Sequence, residues 1–375
     1  MAQKKKNIGV SLFILFLFIY FIAAARPVPL ETVLAPHWLS SIENESPVQI
    51  SNTQTSGKHI PFTLGNHYGY VNSNGNFLIN KTRTGNIYLS DDMWAEYESE
   101  PDKIEIKDSN GQSIAVIDDP RGYPVLLDNR IFIFGSEQNE LSEIDKNGNI
   151  MWTYDFSAPL TCIDTAAGLV LTGSIDGIVE MLDSAGRRIF FFEPGGSRYP
   201  LILGCAISRN GSHLGIISGI DEQRFLLLER YGNSGGEYRV VYHEFTGGGF
   251  RRPAYLLFTD QDRRVIFEHP AGLGSYDIKT RQSVHIPLEG TILSVDNSGD
   301  QGYFFVICSC PGDIKELTGI KFPGNNWLTS KIPRYKQLVF LQAPFTSESV
   351  FLGRSGQAVI VGGGNTLVSF NLEEK

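Results

Sequence analysis

The sequence predicts an all-β protein: a β-propeller of seven blades, with eight as the alternative, preceded by one N-terminal transmembrane or signal helix. Three observations carry this expectation. Short alternating apolar runs recur along the chain, and no helical pattern of ten or more residues follows residue 30. One turn pattern returns at a nearly constant interval. A single long uncharged apolar run stands at the N-terminus.

That run comes first. Met1–Asn7 carries Lys4, Lys5 and Lys6, and Ile8–Ala25 then extends 18 residues without a charge. Basic residues before an apolar stretch are the order of a secretory signal, and this stretch just reaches the length of a bilayer span. Ala23 and Ala25 fit an A-x-A cleavage site, but the run is longer than a usual signal core, so a retained anchor is preferred to a cleaved peptide. Three lysines before the run and only Arg26 just after it place the N-terminus in the cytoplasm and the bulk outside, in the periplasm, or secreted if the signal is cleaved. No cysteine near the end of the run offers a lipid attachment point. Residues 26–58 hold Pro27, Pro29, Pro36 and Pro47 and the polar run SNTQTSGK with no sustained period. They read as a flexible linker between residues 1–25 and a propeller domain over residues 59–375. Beyond residue 25 the chain has 29 basic and 41 acidic residues, a net charge of −12. Such a domain is unsuited to neutralising phosphates, which excludes nucleic acid as a partner.

The hairpin of Glu140–Phe156, ELSEIDKNGNIMWTYDF, supplies the repeat unit. Leu141 and Ile144 precede an Asp-Lys-Asn-Gly break, and Ile150, Trp152, Tyr154 and Phe156 follow at period two. Asn-Gly between two such runs signals a two-residue hairpin turn with positive φ at both positions. Asn72-x-x-Gly75, Asp108-x-x-Gly111, Asp145-x-x-Gly148 and Asp183-x-x-Gly186 start 36, 37 and 38 residues apart. Looser copies lie at Glu229–Gly232 and Asp277–Thr280, with further strand-like runs such as GLVLTGS and GYFFVIC between turns. A repeat of this length with about four strands is the signature of a propeller, in which each sheet buries its faces against its neighbours. Trp152, Phe190, Phe191 and Phe192 then read as core residues. The last unit supplies three strands, so a strand near His67–Asn72 is expected to close the ring, giving seven blades; if that hairpin heads its own blade, there are eight.

Both the Trp-Asp and the Gly-His pairs of WD40-like repeats are missing. Asp145, Gly148 and Trp152 resemble instead the quinoprotein (PQQ-like) propeller repeat, and Asp183, Gly186 and Phe190 repeat the pattern with Phe for Trp. The resemblance implies a family that includes quinone-cofactor dehydrogenases and a non-catalytic outer-membrane assembly lipoprotein. This chain departs from the former in having no adjacent cysteines, and from the latter in having no lipid-bearing cysteine.

Chemistry is sparse. Cys162 and Cys205 occupy equivalent places in successive units and read as small buried hydrophobes in preference to a disulfide. Cys308-Ser-Cys310 puts two sulfurs on one strand face, but no second pair or nearby histidine completes four metal ligands. Histidines 37, 59, 67, 213, 243, 269 and 285 show no metal-ligand spacing. The Asp-x-Asn-Gly turns lack the bidentate acid of a calcium loop and read as turns held by their own Asx side chains. Gly247–Gly249 and Gly362–Gly364 open no helix, so they lack the dipole of a phosphate cradle. Arginine pairs at 187–188, 251–252 and 263–264 flank strands at the rim, where loops could gather them against an acidic partner. Asn44, Asn80 and Asn210 head glycosylation sequons.

No catalytic, cofactor-binding or metal residue is assigned, and no cofactor is expected. The sequence is read as a non-catalytic extracytoplasmic propeller that binds a protein partner in a cell-envelope complex and meets the membrane through its N-terminal helix. The alternative is a quinone- or metal-dependent oxidoreductase, or a hydrolase, with its site at the propeller axis.

Overall fold

The structure is a computed structural model and describes residues 8–24, 31–45, 59–232, 236–296, 298, 302–322 and 338–375. Among the described residues, one helix, α1 (Ile8–Ala24), precedes 31 strands arranged as eight sheets. In chain order, blade I holds β2 (Ile60–Leu64), β3 (His67–Val71) and β4 (Phe77–Thr82). Blade II holds β5 (Asn86–Leu89), β6 (Met93–Tyr97), β7 (Lys103–Asp108) and β8 (Ser113–Asp118). Blade III holds β9 (Gly122–Leu127), β10 (Arg130–Gly135), β11 (Glu140–Ile144) and β12 (Ile150–Asp155). Blade IV holds β13 (Leu160–Ala166), β14 (Leu169–Ser174), β15 (Val179–Leu182) and β16 (Arg188–Phe192). Blade V holds β17 (Ile202–Ile207), β18 (His213–Ser218), β19 (Arg224–Arg230) and β20 (Tyr238–Phe245). Blade VI holds β21 (Leu256–Thr259), β22 (Arg264–His269), β23 (Gly272–Asp277) and β24 (Gln282–Pro287). Blade VII holds β25 (Thr291–Val295), β26 (Tyr303–Ser309), β27 (Ile314–Lys321) and β28 (Val339–Thr346). Blade VIII takes β29 (Val350–Ser355), β30 (Ala358–Gly363) and β31 (Thr366–Glu374), with β1 (Thr32–Ser41) as its outermost strand.

Eight blades correct the preferred count of seven. The ring is closed by β1, which runs antiparallel to β31 from Thr32 opposite Glu374 to Ser41 opposite Thr366. The strand expected to close it, near His67–Asn72, is β3 of blade I. The stretch read as a linker therefore contributes a strand, and a bulge between Pro36 and Trp38 absorbs the proline that hid it. The expectation of a membrane-spanning helix fails as well. Helix α1 has 17 residues, and no helix among the described residues is long and apolar enough to cross a membrane. At a rise of 1.5 Å per residue such a helix covers about 25 Å, short of a hydrocarbon core of about 30 Å.

The core is a ring of eight clusters, one at each blade junction. Ile104 and Ile106 of blade II meet Leu126 and Ile133 of blade III. Phe132 and Leu141 meet Val170 and Leu182 of blade IV. Met181 and Phe190 meet Ile216 and Leu226 of blade V, and Phe225 and Leu227 meet Phe267 and Tyr276 of blade VI. Ile266 and Ile286 meet Phe304 of blade VII, and Phe305 and Leu317 meet Leu352 and Val359 of blade VIII. Ile360 and Leu367 meet Phe62 and Val71 of blade I, and Tyr68 and Ile79 meet Trp94 of blade II. Period-two alternation sends one face of a strand to each neighbour, which is how flat sheets bury both surfaces. It also explains Phe191, which lies exposed between buried Phe190 and half-buried Phe192 and is not the core residue it was read to be.

The repeated turn joins the last two strands of a blade. Asn72, Asp108, Asp145 and Asp183 each accept two backbone N–H bonds, from the residues two and four positions on, at 2.8–3.0 Å. Gly148 has φ +83°, while Asn147 does not take a positive φ. A strand bulge between Glu143 and Ile144 accompanies the turn. The two-residue turn expected from Asn-Gly is thus a longer Asx-held one, because the Asp145 carboxylate organises the loop before the glycine reverses it.

Candidate functional site

The loops divide between two faces. In the four-stranded blades one carries the joints between first and second strands and the Asx turns; the other carries the joints between second and third strands and the links from blade to blade. On the first face, a cavity of about 320 Å³ opens at the axis, lined by His59, Asp91, Arg209, Ser298, Phe351 and Arg354 among others. Its most buried charge is committed to the scaffold: Arg354 is 1% and Asp296 0% exposed at the side chain, and they pair at 3.0 Å. Arg354 also donates to Tyr303 O at 2.9 Å and to Gly356 O at 3.0 Å, tying blade VIII to blade VII. His59 Nδ1 lies 2.8 Å from Ser109 Oγ.

The second face carries a braced platform over blades IV to VI. Three loops form it: residues 193–201, 219–223 and 246–254. Gln223 is buried and acts as a hub: its side chain donates to Gly219 O at 3.0 Å and Phe250 O at 3.4 Å and accepts from Phe250 N at 3.3 Å. Its backbone carbonyl accepts from Thr246 N at 2.9 Å. The Arg224 guanidinium donates to the carbonyls of Pro194 and Gly195. Ser197 donates to the Asp221 carboxylate, which Arg198 approaches at 3.5 Å. The Ser197 hydroxyl pulls the Asp221 carboxyl down to about 2, so the anion is present at any working pH. A turn of blade IV joins in, since a Cβ on Gly177, at φ +87°, would overlap Pro200. Fixing loops in this way removes conformational freedom before any ligand arrives. On this braced ground Ile175, Tyr199 and Phe245 stand 54%, 62% and 57% exposed, beside an Arg198 side chain that is 90% exposed. Exposed aromatics and arginine on a rigid surface are the composition of protein interfaces.

The residues singled out in the sequence are scattered, not gathered. Arg187 and Arg188 pair with Asp183 and Glu180 at 2.7 Å each, and Arg263 and Arg264 pair with Asp277 at 2.9 and 3.1 Å on the axial-cavity face. Arg252 pairs with Glu268 at 2.5 Å beside the platform. These pairs therefore make no shared basic patch. Gly247–Gly249 belong to the platform, while Gly362 and Gly363 are strand residues of β30. Asn80 is buried and donates to Ile42 O and Asn44 O, so that sequon cannot carry a glycan; Asn44 and Asn210 are exposed. All four cysteines are free thiols. His269 and His285 stack at 4.7 Å, with His285 Nε2 at 2.9 Å from Glu244 Oε1. Among the described residues, no group of three or more His, Cys, Asp or Glu side chains is placed to hold a metal.

Sequence reasoning missed Trp38. Its indole covers Gly75 of the first Asx turn and its N–H donates to Ser73 O at 2.8 Å, much as Trp152 covers Gly186 one blade on. The Trp at this spacing in TVLAPHWLSS was the available signal, but Pro36 broke the alternation around it. The platform was invisible for another reason: its hydrogen bonds join loops whose partners lie 24 to 30 residues away.

Comparison with known proteins agrees with the architecture. An uncharacterized protein of Treponema pallidum (strain Nichols) is 27% identical over 299 residues, 78% of each chain. Among solved structures, BamB from Moraxella catarrhalis superposes with a TM-score of 0.56 at 11% identity, over 90% of this chain and 100% of that one. The computationally designed Ika8 protein gives 0.57 at 12% identity, over 84% and 98%. At these identities the structural likeness is one of fold. A model of a β-propeller family matches residues 1–327, which is most of the chain and does not single out the quinoprotein branch of such repeats. The chain belongs to this β-propeller protein family.

Proposed function

We propose that the protein is a non-catalytic binding propeller that holds a protein partner on the platform over blades IV to VI. The observation that carries this reading is the pre-braced set of exposed side chains, Ile175, Tyr199, Phe245 and Arg198. A rigid surface of this composition suits a folded protein partner, because little ordering entropy opposes association. The PQQ-like repeat noted in the sequence supports the same role by resemblance, since its non-catalytic members belong to envelope assembly. We further propose export from the cytoplasm, on the strength of Lys4–Lys6 preceding an uncharged apolar run.

The test compares full-length protein with the variant Tyr199→Ser/Phe245→Ser in affinity capture from solubilised cell envelopes. A partner held by the former and lost by the latter, at unchanged melting temperature, supports the reading. A partner retained equally by both refutes the platform. Mixing the protein with PQQ and calcium before gel filtration checks the oxidoreductase alternative, and co-elution of the cofactor absorbance would replace the binding role.

A further inference from the structure

Cys162 and Cys205 stand on β13 and β17, the first strands of blades IV and V, which pack against each other. Both sulfurs lie over β14. A Cβ built on Gly173 would sit 2.7 Å from Cys162 Sγ, and the Cys205 thiol donates to Leu171 O at 3.7 Å. Leu171 and Gly173 are two residues apart on one strand and so share a face, about 7 Å apart. Cys205 is buried in the cluster between the two blades, while Cys162 packs at its edge and is partly exposed.

We propose that Cys162 and Cys205 are a redox-responsive pair that closes as a disulfide across the junction of blades IV and V. Cys162 is the entry point because solvent reaches it. Its thiolate attacks the disulfide of an oxidant, either a small-molecule disulfide or an oxidised thiol oxidoreductase, and one thiolate leaves. Cys205 then attacks the Cys162 sulfur of the mixed disulfide and expels the second. Two S–H bonds are broken and one S–S bond is formed; two electrons and two protons pass to the oxidant, which departs as two thiols. The Cys162 side chain, and then burial, hold the proton on Cys205, so the second step is the slow one. The other pair is unsuited. Cys308 lies on β26 and Cys310 one residue past its end, and two residues this close along an extended chain are bridged by a disulfide only by distorting the backbone. Cys308 is buried between blades VI and VII, and the Cys310 thiol donates to Glu289 O at 3.4 Å. A closed Cys162–Cys205 bond would staple together the two blades beneath the platform.

The experiment treats full-length protein with oxidised glutathione, alkylates free thiols under denaturing conditions, and maps the digest by mass. The expected result is one linked peptide pair holding Cys162 and Cys205, two remaining thiols, and a melting temperature raised by about 3–5 °C over the reduced protein. Cys162→Ser should lose both the link and the temperature rise, whereas Cys310→Ser should keep them. Four titratable thiols after oxidation, glutathione adducts alone, or a link confined to Cys308 and Cys310 would each overturn the proposal. If Cys162→Ser fails to fold, the peptide map of the unmodified sequence decides by itself.

Discussion

Trp38→Ala should weaken the ring at its seam more than its position near the N-terminus suggests. The indole is half-buried, covers Gly75 and the cluster between blades VIII and I, and donates to Ser73 O at 2.8 Å. Full burial of a tryptophan is worth 3–5 kcal/mol on truncation, so a half-buried one contributes about 2 kcal/mol. Loss of its hydrogen bond adds about 1 kcal/mol. A total near 3 kcal/mol corresponds to a fall of about 4 °C in melting temperature for a chain of this size. Gly75→Ala tests the same contact from the other side. Its Cβ would lie 2.6 Å from Trp38 Cδ2, and the residue would have to hold φ +83°, so strain adds to the clash. In the double variant the clash is gone and only the backbone strain remains, so the two losses should sum to less than their separate values. Thermal unfolding of the full chain followed by circular dichroism measures all four species, with Leu39→Ala as a control because Leu39 is exposed. A Trp38→Ala melt within one degree of the parent, or a cycle that is strictly additive, would refute the role given to β1.

Three further outcomes follow from the same geometry. Arg354→Ala leaves Asp296 buried without its guanidinium and should cost about 3–5 kcal/mol in chemical denaturation, a loss that Arg354→Lys cannot fully restore because the carbonyls of Tyr303 and Gly356 are also served. Burial pushes the Asp164 carboxyl up to about 6, so the folded state binds its proton more tightly than the unfolded chain. Its contribution to stability therefore declines as pH rises from about 4 to about 6 and is flat above that, and Asp164→Asn should remove this part of the pH profile in urea titrations. Gln223→Ala should speed amide exchange across residues 219–223 and 246–253, with blade-strand amides unaffected.

The blades were legible because their determinants are local. Each Asx turn is set by one carboxylate or amide and one glycine within four residues, and each strand by its own alternation, so β11, β12, β15 and β16 could be drawn from the chain alone. The chain turn at Asp145 differed in type because an Asp carboxylate accepting from Asn147 N and Asn149 N outweighs the bare preference of Asn-Gly. Pairings across the whole chain were not legible. Nothing in TVLAPHWLSS specifies that its partner lies at residues 366–374, and a proline in the middle argued against a strand at all. The same is true of the platform, where Gln223 and Arg224 look like ordinary strand-end polar residues until the blade-to-blade links fold over them.

Pro36 makes sense once β1 is placed. In an outermost strand one row of backbone donors faces away from the sheet, so a missing N–H there removes no ladder bond, and a bulge beside it disturbs an edge that would otherwise invite pairing with another chain. The feature that argued against a strand in the sequence is therefore permitted only at the rim, the place where the two ends of the propeller meet. This also settles why eight blades and not seven. In blades I to IV an Asx turn joins the last two strands, and in blades V to VII the corresponding strands still pair in sequence order. Seven blades thus find their outermost strand by local chain reversal. The eighth, ending at β31, recruits its outermost strand from β1, and β3 remains free to serve as the middle strand of blade I. A count that spends β3 on closure loses one blade; the pairing of β3 with both β2 and β4 inside blade I, across the Asx turn at Asn72, rules that assignment out.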